Sequence, residues 1–207
     1  MGRPRKASDD EIFAAATRVM GRYGPGQITL AHVATEAGLT PGALVQRFGS
    51  KRALLLALME RFAGSAPEMF NALRASTASP LAAIQAYAQC MAQMGETPDS
   101  LSRHLAWLQQ DLTDPDFRRF MLVQARATRR ELQRLVRDAA ALGELESEVD
   151  AHALARAIET TVTGSLMTWA VHQEGSAVGW VRHDLDAVLD PWIPPARRAP
   201  RRRASAS

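Results

Sequence analysis

The sequence predicts an all-α fold, and three observations carry that prediction. Apolar residues recur at three- and four-residue spacing along most of the chain, the period of one helix face. No stretch alternates polar and apolar residues as a half-buried strand would. Ser, Thr or Asp stands where several of the apolar-periodic runs begin, and Gly or Pro where they end. With 46% hydrophobic residues among 207, the chain can bury a sizeable core in one large domain or two small ones.

The first elements follow in order. Residues 1–7 read as a flexible basic arm, and residues 8–62 as a small helical domain. Ser8 and Glu11 form a capping box, each side chain satisfying a free amide at the helix start. Ile12, Phe13, Ala16, Val19, Met20 and Tyr23 then make one broad stripe over about 9–23, which Gly24, Pro25 and Gly26 end. Thr29 caps a second helix with Leu30, Val33, Ala34 and Ala37 inward, and Gly38 stops it after two turns. Thr40 caps a third, with Pro41 at the first helical position, where its missing amide costs nothing. Leu44 and Phe48 anchor it and Gly49 ends it. Ser50 caps a fourth helix carrying Leu54, Leu55, Leu58 and Phe62.

A larger helical body, residues 63–195, comes next. Pro67 and the Ser76–Pro80 stretch separate short elements. A helix from Leu81 to about Met94 is followed by a turn at Gly95–Pro98 and a helix from Leu101 to about Leu112. Asp114-Pro115 opens a long helix to about Leu142, which Gly143 breaks. Asp150 caps another through about Gln173, and a last helix spans roughly Ala177–Leu189 before Pro191, Pro194 and Pro195. Residues 196–207 are Arg, Pro, Ala and Ser and read as a disordered basic tail.

Charge is unevenly placed. Residues 3–6 hold three positive charges and residues 197–203 five, with no acid in either. Residues 7–62 sum to +1 and residues 63–196 to −6. A mildly acidic body with basic ends suggests a polyanion partner, without choosing among DNA, RNA and a membrane surface. No apolar run approaches the ~18 residues of a membrane span. The basic start is followed by Asp9, Asp10 and Glu11 rather than a signal-peptide core, so a cytoplasmic protein is expected. One cysteine, Cys90, precludes an internal disulfide and a multi-cysteine metal site, and the five histidines show no metal-binding spacing. No nucleophile motif or cofactor fingerprint frames the Ser, His and acidic residues, so neither catalysis nor a cofactor is expected.

The segment from Thr29 to Lys51 is the most informative. Two short helices meet at Ala37-Gly38-Leu39: Ala37 lets crossed helices approach, Gly38 can take a positive φ, and Leu39 plugs the gap. That is the build of a helix-turn-helix, which offers its second helix to the major groove; a generic three-helix module is the alternative. The outer face of that helix would hold Thr40, Pro41, Gly42, Ala43, Gln46 and Arg47. Gln46 can pair bidentately with adenine and Arg47 with guanine or phosphate, while Ala43 and Pro41 suit a thymine methyl. Thr29, Thr40 and Lys51 would position the domain on phosphates, and Arg3, Arg5 and Lys6 would enter a neighbouring minor groove or neutralise phosphates.

These residues carry a family resemblance. Tyr23-Gly24, Thr29, Val33-Ala34, Ala37-Gly38-Leu39-Thr40-Pro41-Gly42, Leu44, Phe48, Lys51 and Leu54 fit, without a gap, the pattern of the TetR family of bacterial transcriptional regulators. Two positions depart from it. Val45 stands where the family usually has a Tyr that contacts phosphate, and Arg47 where His or Tyr is frequent; Val45 is expected to pack inward and Arg47 to supply a charge-assisted contact instead.

The resemblance implies a homodimer reading an inverted-repeat operator with recognition helices about 34 Å apart. It implies that the last two long helices dimerise, with Ala153, Ala157, Thr161 and Gly164 on one and Val178, Val181, Leu185 and Leu189 on the other. It also implies a small-molecule effector in the C-terminal domain that releases the DNA, the fourth helix acting as lever. The residues most compatible with such a pocket are Met91, Met94, His104, Trp107, Leu108, Met121, Gln124, Ala125, Trp169 and His172, which favour an apolar or aromatic molecule. A ligand-responsive activator and a non-specific architectural DNA-binding protein are the competing functions.

Overall fold

In a computed structural model that describes residues 7–197, ten α-helices account for most of the chain. They are α1 (Asp9–Arg22), α2 (Leu30–Ala37), α3 (Pro41–Phe48), α4 (Lys51–Ala63), α5 (Ala66–Ser76), α6 (Pro80–Met94), α7 (Pro98–Thr113), α8 (Pro115–Ala141), α9 (Ala151–His172) and α10 (Ala177–Leu189). Two 3₁₀ turns, Asp190–Trp192 and Pro195–Arg197, follow. No strand occurs among the described residues, so the fold is all-α as the periodicity predicts. Arg3, Arg5 and Lys6, and the tail from Arg198 onward, lie outside the described residues.

Helix boundaries coincide with chemistry visible in the sequence. The Ser8 hydroxyl accepts from the Glu11 amide at 3.2 Å, and Glu11 Oε2 accepts from the Ser8 amide at 2.8 Å. Thr29, Thr40, Ser50 and Asp150 each cap the helix that follows through a side-chain oxygen. Pro67, expected to separate elements, instead occupies the second residue of α5, where no intrahelical partner for its missing amide is required. Ala7 is also a correction. Assigned by sequence to the free arm, it is buried in the first unit's core.

The chain divides into two compact units. One comprises Met1–Glu68 with Met94–Thr128, so it is larger than the 8–62 segment and includes α7 and the first half of α8. Its core gathers Ile12, Val19, Ile28, Val33, Leu44, Leu54 and Leu58 together with Trp107 and Phe117. Phe48 completes it, its ring 5.9 Å from Phe13. Helices of two turns cannot persist alone in water, so α2 and α3 depend on this shared core.

α7 and α8 tie down the C-terminal end of α1 and both ends of α4. The Trp107 indole donates to the carbonyls of Met20 (3.3 Å) and Tyr23 (3.1 Å), and Arg103 donates to Gly21, which satisfies the open C-terminal end of α1. At the start of α4, Arg52 pairs with Asp114 (3.0 Å) and Asp116 (2.8 Å). At its end Gln124, with its amide nitrogen turned inward, donates to Phe62 and Ala63 at 2.8 and 3.1 Å.

The other unit comprises Met69–Gln93 with Arg129–Ser207. Its buried side chains include Phe70, Ile84, Leu132, Leu135, Leu145, Ile158 and Leu185. α9 and α10 pack against each other as a hairpin. Ser165, buried on α9, donates to Asp184 on α10 at 2.6 Å, which pins their register. The buried Glu131 is compensated by Arg74 (2.9 Å) and Arg134 (2.6 Å), as a carboxylate removed from water must be.

Candidate nucleic-acid interface

The turn between α2 and α3 has the geometry its residues foretell. Gly38 adopts φ +68° and ψ 32°, a left-handed conformation that glycine takes without steric cost. The Leu39 amide then reaches back to the Ala34 carbonyl at 2.8 Å, ending α2 and turning the chain toward Thr40. Thr40 restarts a helix by accepting from the Ala43 amide at 3.2 Å. Leu44 is completely buried, which fixes the rotation of α3 about its axis.

That rotation decides which side chains face outward. Pro41, Gly42, Val45, Gln46 and Arg47 are exposed and Ala43 is half-buried. Val45 corrects an expectation: it does not pack inward but is 48% exposed. It lies four residues after Pro41 and one after the inward Leu44, a spacing that already placed it on the outer stripe. An exposed branched aliphatic side chain on this face suits a thymine methyl.

Thr29 and Thr40 are exposed at the starts of α2 and α3, where their hydroxyls cap while further helix amides remain open. Lys51 is half-buried and its ammonium donates to the Pro25 carbonyl at 3.2 Å, so it braces the α1–α2 turn instead of standing free. Arg47, expected on base edges, is also engaged: its Nη1 donates to the Ala7 carbonyl at 2.6 Å and its Nε lies 2.7 Å from Asp9 Oδ1.

On the dimer positions the two helices differ. Along α9, Ala153 and Gly164 are exposed and Ala157 and Thr161 half-buried. A methyl group added at Gly164 would meet open space. Met167 and Val171, not anticipated, are 48% and 81% exposed on the same helix. On α10, by contrast, Val181, Leu185 and Leu189 are each 1% exposed and fill the subunit's own core, which corrects their assignment to an interface. Their four-residue spacing marks a buried face equally well for either role, so periodicity alone had no means of separating the two.

The expected pocket residues are also distributed by the fold. In the first unit Trp107 is committed to α1, Gln124 to the end of α4, Leu108 and Met121 are half-buried, and His104 and Ala125 are exposed. In the second, Met91 is half-buried on α6, and the buried Trp169 closes the α9–α10 turn by donating to Gly175 at 3.3 Å. His172 is exposed and stacks on Trp180 at 5.4 Å. Met94's side chain lies outside those described. A cavity of about 330 Å³ lies between α6 and α10, lined by Ala82, Gln85, Ala86, Gln89, Val178 and Arg182 among others. None of the expected pocket residues whose side chains are described lines it, and Val178 and Leu185, which do, had been placed at the dimer interface. The sequence signal was a row of glutamines at four-residue spacing, Gln85, Gln89 and Gln93, on a largely apolar helix, of which the first two line the cavity.

Known proteins resemble the chain in sequence and in fold. Residues 12–58 match the family model of bacterial regulatory proteins, tetR family. Over 122 residues the chain is 27% identical to the HTH-type transcriptional regulator BetI of Rhizobium meliloti (strain 1021), a match covering 58% of this chain and 60% of that protein's length. A TetR transcription regulator from Haloarcula marismortui ATCC 43049 superposes with a TM-score of 0.69 at 20% identity, over 90% of this chain and 98% of the other. SmeT, the repressor of the Stenotrophomonas maltophilia multidrug efflux pump SmeDEF, does so with 0.64 at 23% identity, over 95% and 96%. At such identities the structural likeness is one of fold.

Proposed function

Because the chain belongs to the TetR family of bacterial regulatory proteins, we propose that it is a sequence-specific DNA-binding regulator of transcription. In this reading it acts as a homodimer on an inverted-repeat operator and is released when a small molecule occupies the C-terminal helical body. The observation that carries the proposal is the α2–α3 turn. Gly38 in its left-handed conformation and the buried Leu44 leave Pro41, Val45 and Gln46 together on an outward face.

The roles divide by chemistry. Gln46 reads an adenine edge through its paired donor and acceptor, and Val45 and Pro41 contact thymine methyls. The free amides at the starts of α2 and α3, with Thr29 and Thr40, meet phosphate oxygens and set the register. Two copies of α3 then span about 34 Å, one turn of duplex. The exposed Ala153, Gly164, Met167 and Val171 on α9 supply the face for the second subunit. Release requires the effector to favour one spacing of the DNA-reading domains over the other. The polar edge that Gln85, Gln89 and Arg182 give the cavity supports an effector carrying a hydrogen-bonding or acidic group beside its apolar part.

Selection of bound sequences from random duplex DNA tests the reading. An inverted repeat preferred by about 10³-fold or more over scrambled duplex is the expected result. Within it, Gln46→Ala costs about 1–3 kcal/mol and relaxes the preference at one position per half-site. Equal affinity for matched and scrambled DNA would mark a non-specific architectural protein and reject the proposal.

A further inference from the structure

Within the second unit, α6 and α10 enclose the cavity of about 330 Å³, at the small end of the roughly 300–1,000 Å³ usual for ligand sites. The space exists because α6 presents alanines to it, Ala86 and Ala88 among them, where longer side chains would fill it. The floor is apolar, with Ala88 and Leu185 both buried. The mouth is polar: Gln85 and Gln89 on α6 and Arg182 on α10 are exposed lining residues. No acid is among the described lining residues, so the cavity's own charge is that of one guanidinium. Asp186 stands outside the lining, one turn after Arg182, yet engages both walls. Its Oδ1 accepts from Gln85 Nε2 at 3.4 Å, and its Oδ2 lies 3.9 Å from Arg182 Nε. Both contacts are long, and the Arg182 side chain is 80% exposed, so they contribute little and exchange readily. A carboxylate of the protein thus bridges the same donors that the acid group of a ligand would use.

We propose that this cavity binds a small amphipathic carboxylate, whose apolar part lies against Ala86, Ala88 and Leu185 and whose acid group replaces Asp186 as the partner of Arg182 and Gln85. At the roughly 30 Å³ that a water molecule occupies, the volume admits about ten non-hydrogen atoms. Burial of the apolar part supplies most of the affinity, and Arg182 decides the head group. A guanidinium donates to a carboxylate through a planar fork with charge assistance, which a neutral amide does not match. Asp186 competes for the same donors. A simple inorganic anion has no apolar part to offset that competition, so the site favours an acid with a hydrocarbon body. As the chemical class of the effector, the inference rests on the regulator reading above; as a binding site it stands apart from that reading.

Titration calorimetry of the full chain with octanoate, octanamide and octylamine, alike in length and different in charge, tests it. At neutral pH octanoate is expected to bind about tenfold tighter than octanamide, with octylamine weakest. Arg182→Gln should bring octanoate and octanamide to within about twofold of each other, since the charge-assisted contact is gone. Asp186→Asn should tighten octanoate about threefold by removing the competing carboxylate, and leave octanamide nearly unchanged. Ala86→Leu, which fills the cavity from α6, should weaken octanoate and octanamide alike. Thermal unfolding of each variant separates these effects from a loss of fold. Equal affinity for octanoate and octanamide in the unmodified chain, no binding of octanoate at millimolar concentration, or tighter binding of octylamine would overturn the site. So would a preference for octanoate that survives Arg182→Gln, or binding that Ala86→Leu leaves unchanged. Failure of the chain to select any operator would instead reject the regulator reading and leave the calorimetric result standing.

Discussion

Asp111 on α7 is half-buried near Asp114, and burial together with that neighbouring carboxylate pushes its pKa up to about 6 from an ordinary 3.8. A carboxyl raised in the folded state holds its proton more tightly there than in the unfolded chain. Its favourable contribution is therefore complete below about pH 4 and is lost as pH rises through about 6. Asp111→Asn should leave the urea midpoint nearly unchanged at pH 4 and raise it at pH 7.5. An identical shift at both values would show that the substitution acts through packing and not through the charge. Glu36 has the opposite sign. Hydrogen bonds from Arg18 and Arg22 hold its carboxyl below the usual range, so its contribution is present above about pH 4.5 and falls away in acid. The outward residues of α3 were legible one by one from helical spacing, Val45 included, although it was expected to pack inward. Whether an outward Arg is free was not legible, because the partners of Arg47 lie some forty residues earlier in the chain.

Among the elements, the α2–α3 turn was the most fully written in the sequence. Gly38 alone among residues 35–41 can take φ +68° without a Cβ clash, and Thr40-Pro41 is a helix start by local chemistry. A Cβ at Gly38 would meet no neighbouring atom, so the cost of Gly38→Ala is purely conformational. About 1–2 kcal/mol is expected, measured as a lower denaturation midpoint with an unchanged slope against denaturant. A change below a few tenths of a kcal/mol would contradict the left-handed assignment. The attachments of α7 and α8 to α1 and α4 were not written locally. Trp107 carries the spacing of an apolar stripe whatever it faces, and only the folded chain shows its N–H between the carbonyls of Met20 and Tyr23. The structure therefore moves Trp107 and Gln124 out of the expected effector pocket and into the connections to α1 and α4.

At the scale of the whole molecule, the proposed dimer turns on α9. Its exposed Gly164, Met167 and Val171 offer a small-and-apolar face that a second subunit would cover, while Val181, Leu185 and Leu189 on α10 already close the subunit core. Gly164→Arg should leave the helical content intact, shift the chain toward monomer in sedimentation, and weaken operator binding to that of one half-site. A variant that remained dimeric at micromolar concentration would place the interface elsewhere. The uneven charge belongs to this scale as well, with eight cations in the segments 3–6 and 197–203 and a net −6 over residues 63–196. Such asymmetry governs encounter with a polyanion rather than the choice of fold.

The sequence by itself determined the helical class, nearly every helix boundary and the helix-turn-helix, since caps, glycine stops and apolar period act over three to eight residues and need no distant partner. The tertiary structure alone decided which apolar stripe closes the core and which stays exposed. It alone turned Arg47 back toward Ala7 and Asp9, gave Trp107 to α1, and opened a cavity between α6 and α10. The reason is that a stripe specifies only that a face will be covered. What covers it depends on chain segments far away in sequence, and that information exists only once they have packed.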